Sequence, residues 1–194
     1  HIPVAITFEI VGGKYVLKEY WTPRDGSYYV QDVRDKFPDE VEDEALDTQK
    51  YILAQKQTCY DQGVRYGGVD TYSAVEHLFE VIESSPATSS RPADYIDAHS
   101  IEYWELMYYG DYTLQYIFSK FHLEGNQTGL RGQLMRIALD DLAPEAQLQL
   151  HAETGQAYFD EWRASAIRVS EQHDMDWIKA NQPAIWLFLQ MIDE

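Results

Sequence analysis

The chain has 194 residues, 15 of them Lys or Arg and 33 Asp or Glu, a formal balance of −18 that excludes nucleic acid as a default partner. With 45% hydrophobic residues it is too apolar for a disordered chain and long enough for one compact domain, or one with a small appendage. A single Cys rules out an intramolecular disulfide, so Cys59 is either a small core residue or a free thiol. No apolar run reaches the roughly 20 residues of a membrane-crossing helix, so no membrane insertion is expected. A start at His1, without Met, reads as a cut fragment or mature form.

Residues 2 to 21 alternate around Gly12-Gly13. A two-residue turn there pairs Ile10 with Tyr15, Phe8 with Leu17, Ile6 with Glu19 and Val4 with Trp21, leaving one face apolar save for Glu19. An isolated two-stranded ribbon is marginal in water, so this face is expected to lie on helices through Phe8, Leu17 and Trp21.

After a turn at Thr22–Ser27, the spacing of Tyr29, Val33 and Phe37 predicts a short amphipathic helix stopped by Pro38. Asp39, Glu40, Glu42, Asp43 and Glu44 then crowd the start of a second helix with Val41, Ala45, Ile52 and Cys59 on its apolar line, an arrangement the helix macrodipole favours. A third follows Gly67-Gly68, capped by Asp70, with Tyr72, Val75, Phe79 and Ile82 on one face. The low-complexity run from Ser84 to Pro92 is the best linker in the chain. Beyond it the pattern predicts helices over Tyr103–Tyr109, Tyr112–Phe121, Leu130–Leu142 and Glu145–Glu171, with a last one over Met175–Met191 interrupted near Pro183. The fold class is therefore α+β, predominantly α-helical: a hairpin-plus-helices subdomain over 1–84, a linker over 85–92, and a helical subdomain over 93–194 containing a HEAT-like helix pair.

The familiar catalytic motifs are missing. No His-Glu-x-x-His, Ser-x-x-Lys, Gly-x-Ser-x-Gly, Cys-x-x-Cys or phosphate-cradling loop occurs, and no metal site or cofactor is expected. Asp140-Asp141, Asp160-Glu161 and Glu102/Glu105 are each conceivable acid–base pairs for glycoside cleavage, though solvated helical faces produce such pairs routinely. Two stretches spend residues differently. At the hairpin-to-helix junction Trp21, Arg24, Asp25, Tyr28 and Tyr29 set flat rings and one planar cation around a tight turn, a composition that serves either as packing or as a cradle for a sugar or peptide. The second candidate comprises Asp111, Tyr112, Gln127 and Arg131, where Gly and Asp break the helices, Asp111 is placed as a cap, and Gly129 and Gly132 permit close helix approach.

The run from Ile6 to Tyr51, with Glu19-Tyr20-Trp21-Thr22-Pro23-Arg24-Asp25-Gly26-Ser27-Tyr28-Tyr29 and Arg34-Asp35-Lys36-Phe37-Pro38, resembles an extracytoplasmic segment of bacterial membrane proteins related to the beta-lactam-sensing antirepressor zinc metallopeptidases. The run from Tyr95 to Leu142, with Gly110-Asp111-Tyr112-Thr113-Leu114 and Gln127-Thr128-Gly129-Leu130-Arg131-Gly132, is similar to their C-terminal region. Together they cover about half the chain. The resemblance implies a domain outside the membrane, tethered to the cell surface. Since the peptidase and penicillin-binding motifs are absent, it carries over no catalytic residue. The expected function is a non-catalytic extracytoplasmic sensor or interaction domain of a membrane-anchored regulatory protein, with a peptide, a wall fragment or the parent membrane protein as partner. The alternative is a carboxylate-dependent hydrolase acting on cell-wall or carbohydrate substrates.

Overall fold

A computed structural model describes residues 2–192, apart from the side chains of Gln49, Leu53 and Ala54. The expectation about His1 lies outside those residues. The chain divides into two compact units, His1–Gln55 and Lys56–Glu194. The class is α+β and predominantly helical, and among the described residues no helix is long and apolar enough to cross a membrane.

In the first unit β1 (Ala5–Val11) and β2 (Lys14–Trp21) form an antiparallel hairpin, followed by α1 (Tyr29–Lys36) and α2 (Asp39–Leu46). Gly12 and Gly13, at φ +59° and +78°, make the tight turn that only residues tolerant of positive φ allow. Near the turn the pairs are the expected ones, Ile10 with Tyr15 and Phe8 with Leu17. The register then shifts: Thr7 faces Glu19, Ile6 faces Tyr20 and Ala5 faces Trp21, which leaves Lys18 as the extra residue of a bulge. The expected pairs Ile6–Glu19 and Val4–Trp21 are thus corrected. A one-residue slip exchanges faces, so Glu19 and Trp21 move to the second face with Thr7 and Glu9, and Tyr20 joins Ile6, Phe8, Ile10, Tyr15 and Leu17 on the first.

The second face meets α1. Glu19 accepts from Lys36 Nζ at 2.5 Å, and the Trp21 ring meets the Phe37 ring edge-on at 5.9 Å. The expectation that Phe8 and Leu17 pack on helices fails, since both are exposed and of the three only Trp21 is half-buried. Among the described residues of this unit, Val33 is the one large apolar side chain fully buried.

The expected second helix is broken at Asp47, and α3 (Ile52–Gly67) begins after a 3₁₀ turn at Thr48–Tyr51, with the unit boundary inside it. The second unit continues with α4 (Thr71–Glu83), capped by Asp70 as expected, α5 (Pro92–Ala98), α6 (Ser100–Tyr109), α7 (Asp111–Phe118) and α8 (Leu130–Leu142). A wide turn over Ser119–Glu124 prolongs α7, and α9 (Gly155–Gln172), α10 (Met175–Asn181) and α11 (Pro183–Ile192) close the chain. The long helix expected from Glu145 starts only at Gly155, where the Thr154 hydroxyl caps Ala157 N–H at 3.1 Å, and the segment before it is a 3₁₀ turn over Pro144–Ala146 followed by irregular chain. Helices α4, α6, α7, α8, α9 and α11 share one core. Its densest part stacks Phe121 on Phe159 at 4.8 Å and Phe118 on Trp162 at 5.3 Å, with Phe188 edge-on to Phe118.

The segment 85–92, expected as a linker, lies within this second unit. Ser85 Oγ is 2.8 Å from His99 Nε2, Ser89 donates to Asp94 at 2.6 Å, and Tyr95 OH donates to the Ser89 carbonyl at 3.0 Å. Both α4 and α5 pack on α8, so the Ser-rich composition belongs to a tied loop.

Candidate functional site

Of the five junction residues, the structure brings Trp21 and Arg24 into one hollow of about 370 Å³, lined also by Thr22, Asp32, Asp35 and Lys36. Arg24 is already engaged there. Its Nε and Nη2 donate to Asp32 at 2.8 and 2.6 Å, its backbone N–H donates to the same carboxylate at 2.9 Å, and the guanidinium lies over the Tyr28 ring at 4.3 Å. Those bonds from Arg24 hold Asp32 down to about 2. A fork satisfied in this way offers little to an incoming carboxylate. Asp25 caps Gly26 N–H at 2.7 Å, while Tyr28 is exposed and Tyr29, half-buried, opens α1; none of the three lines the hollow.

The second candidate set separates into local roles. Asp111 is the first residue of α7 and caps nothing with its side chain; its N–H donates to Gln57 Oε1 at 2.9 Å, over Gly110 at φ +55°. Tyr112 OH donates to Asp61 at 2.9 Å. Burial, and then the nearby Asp61 charge, push the Asp111 carboxyl up. Gln127 bonds to the start of α9, its carbonyl accepting from Gln156 N–H at 3.0 Å. Arg131 turns to α4, reaching Glu83 at 2.5 Å and Glu76 at 3.4 Å, and donates to Tyr116 OH at 2.9 Å. Lys120 joins this network through Glu76 at 3.2 Å and Glu124 at 2.9 Å.

Two arrangements were only partly read from the sequence, which named the Asp140-Asp141 pair but not its trough, and an apolar hairpin face but not its exposure or its freedom from charge. Gln133, Arg136, Ile137, Asp140 and Asp141 recur along one side of α8 and, with Arg91 and Gln147, line a hollow of about 450 Å³. Tyr158 OH donates to Asp140 and Tyr103 OH to Asp141, the latter at 2.5 Å, while the Arg136 guanidinium lies over the Tyr158 ring at 4.5 Å. Burial raises the Asp140 carboxyl against the opposing bond from Tyr158. The signal was the helical spacing of five residues whose side chains face one trough. The other arrangement is the first face of the hairpin. Ile6, Phe8, Ile10, Tyr15, Leu17 and Tyr20 carry no charge and are 49 to 78% exposed, because the Lys18 bulge has removed Glu19 from among them.

Among the described residues no group of three or more His, Cys, Asp or Glu side chains is placed to hold a metal ion. Cys59 is exposed on α3. No family model, curated protein or solved structure matches the chain.

Proposed function

We propose that this chain is a non-catalytic interaction domain of a membrane-anchored regulatory protein, held outside the cytoplasm, and that it works by contact through the first face of its hairpin. The observation that carries the reading is that face: six large apolar side chains, uncharged and exposed, on a unit with one fully buried large apolar side chain among its described residues. Contiguous apolar surface of this kind marks an interaction site, and a two-stranded ribbon gains stability by covering it. Placement outside the membrane, tethering, a signalling role and association with a metallopeptidase rest on the resemblance of residues 6–51 and 95–142. In this reading the second unit, with a HEAT-like helix pair, is a scaffold. Peptides, wall fragments and the parent protein are the partner classes it admits.

The test is a photo-crosslinking amino acid placed at Tyr15 or Tyr20 in cells making the protein, with Glu161 on α9 as the control position. Adducts are expected from the hairpin positions and not from Glu161; their absence at both Tyr positions refutes the reading. The hydrolase alternative draws on the α8 trough, where Asp140 is raised as a general acid requires. Against it, each carboxylate already accepts from a tyrosine hydroxyl. Turnover of wall glycan that disappears in both Asp140→Asn and Asp141→Asn would transfer the function to that trough.

A further inference from the structure

Resting on the reading of the hairpin face as a contact surface, we propose that its occupant is a second copy of this chain, with the two faces stacked across a two-fold axis. The first argument is charge. Residues 2–21 carry Glu9, Lys14, Lys18 and Glu19, which cancel, so the whole balance of −18 lies outside the hairpin. Two such chains repel each other on average, and like charges brought face to face cost affinity. At this face there are none to bring together, since the four charged residues lie on the second face or at the bulge. An isologous contact requires a patch complementary to itself, and an uncharged apolar patch meets that condition without a register of ion pairs.

The second argument is area. With side chains 49 to 78% exposed, and about 150–250 Å² for each large ring, the six residues present roughly 600–800 Å² per copy. Face on face, two copies cover roughly 1,200–1,600 Å², within the range of stable protein–protein interfaces. The roughly 600–800 Å² of one copy begins at the upper end of the largest apolar patch of a typical monomer, on the order of 300–600 Å². Two twisted ribbons stacked about 10 Å apart, as sheets pack in sandwiches, interdigitate these side chains. Phe8 and Tyr15, already edge-to-face at 6.4 Å, form the aromatic centre, and the tyrosine hydroxyls of Tyr15 and Tyr20 can stay wet at the rim. Lys14, Lys18 and the bulge blunt the free edge of β2, which disfavours strand addition there.

Sedimentation velocity and light scattering on the full chain, from low micromolar to a few hundred micromolar, test the proposal. The expected species has twice the 22.6 kDa chain mass, and its population should rise with salt, which screens the acidic remainder. Phe8→Glu and Leu17→Lys should each weaken association at least tenfold, with the far-UV spectrum of the helical unit unchanged. Glu9→Lys, on the opposite face, should leave it within about twofold. A wild type that stays monomeric throughout, or a dimer indifferent to both face variants, overturns the proposal. A monomer that still crosslinks from Tyr15 to a different protein overturns the second copy while leaving the interaction reading standing. A monomer with no adduct removes both.

Discussion

Gly132 on α8 offers the sharpest check of the helical unit. A Cβ at this position would lie 2.0 Å from the Gln127 carbonyl oxygen and 2.7 Å from its carbon, against 3.4 Å or more for ordinary contact. The neighbour cannot easily withdraw: Gln127 is fixed to α9 through Gln156, which donates to its carbonyl at 3.0 Å and accepts from its N–H at 3.1 Å. Gly155, at the start of α9, in turn lies so close to Gly132 that its own added Cβ would be 2.0 Å from the Gly132 carbonyl oxygen. In an open helix Gly→Ala gains about 1 kcal/mol of propensity. Here overpacking against backbone costs about 3 kcal/mol or more, so Gly132→Ala should lose a net ~2 kcal/mol. For a unit of this size that is a fall of about 4–8 °C in the unfolding midpoint. Gly129→Ala is the control, because its Cβ meets nothing within 4 Å and it should lose only the N-cap preference of Gly over Ala, about 0.5–1 kcal/mol. Thermal and urea unfolding followed by circular dichroism read both. A Gly132→Ala protein as stable as the wild type, or more so, would refute the close-approach argument.

Arg131→Ala should cost about 2–3 kcal/mol in urea unfolding, less than a fully buried pair because its side chain is 20% exposed, yet well above a surface pair because Glu83 and Glu76 lose their shared cation; a loss under about 0.5 kcal/mol would show the network to be ornamental. Trp21→Ala, removing a half-buried ring from Phe37, should cost about 1.5–2.5 kcal/mol, roughly half the penalty of a fully buried aromatic, and a change near zero would mean the ring contact is not populated. Asp32, held down to about 2 by Arg24 from an ordinary 3.8, contributes stability that is present above 3.8 and is lost as pH falls through about 2. Carboxyl-carbon NMR should place its midpoint near 2 and Arg24→Ala should return it toward 3.8; an ordinary midpoint in the wild type would contradict the fork geometry.

Much of the helical unit was legible because its signals are local. Asp70 before Thr71 is an N-cap whose carboxylate meets Ser73 N–H within one turn, and Pro183 divides the last helical stretch where a proline must. Gly132 was legible as a close-approach residue, whereas Gly129, three residues earlier in the same motif and read the same way, has open space around it. Non-local effects were hidden. Ser-rich composition reads as a linker, but whether its hydroxyls find Asp94 and His99 depends on where α5 and the loop after it return. The same limit applied to the sites: Arg24 was legible as a planar donor next to rings, but Asp32, eight residues on, claims that donor only after α1 folds back beside the turn.

The Lys18 bulge joins the fold to the proposed function. Alternation alone assigns Glu19 to the apolar face and Tyr20 to the polar one, since nothing in a period of two marks an inserted residue. On that unshifted register Glu19 would sit among Ile6, Phe8 and Leu17, and a face with a carboxylate at its centre would resist burial against anything but a cation. With the bulge, Glu19 reaches Lys36 and Thr7 on the other face, and Tyr20 takes its place. One extra residue therefore both ties the hairpin to α1 and clears charge from the opposite surface. A hairpin needing only the first of these would have no reason to keep six large apolar side chains in water. Their joint presence is why contact through that face, rather than chemistry in either hollow, is the function we propose for this chain.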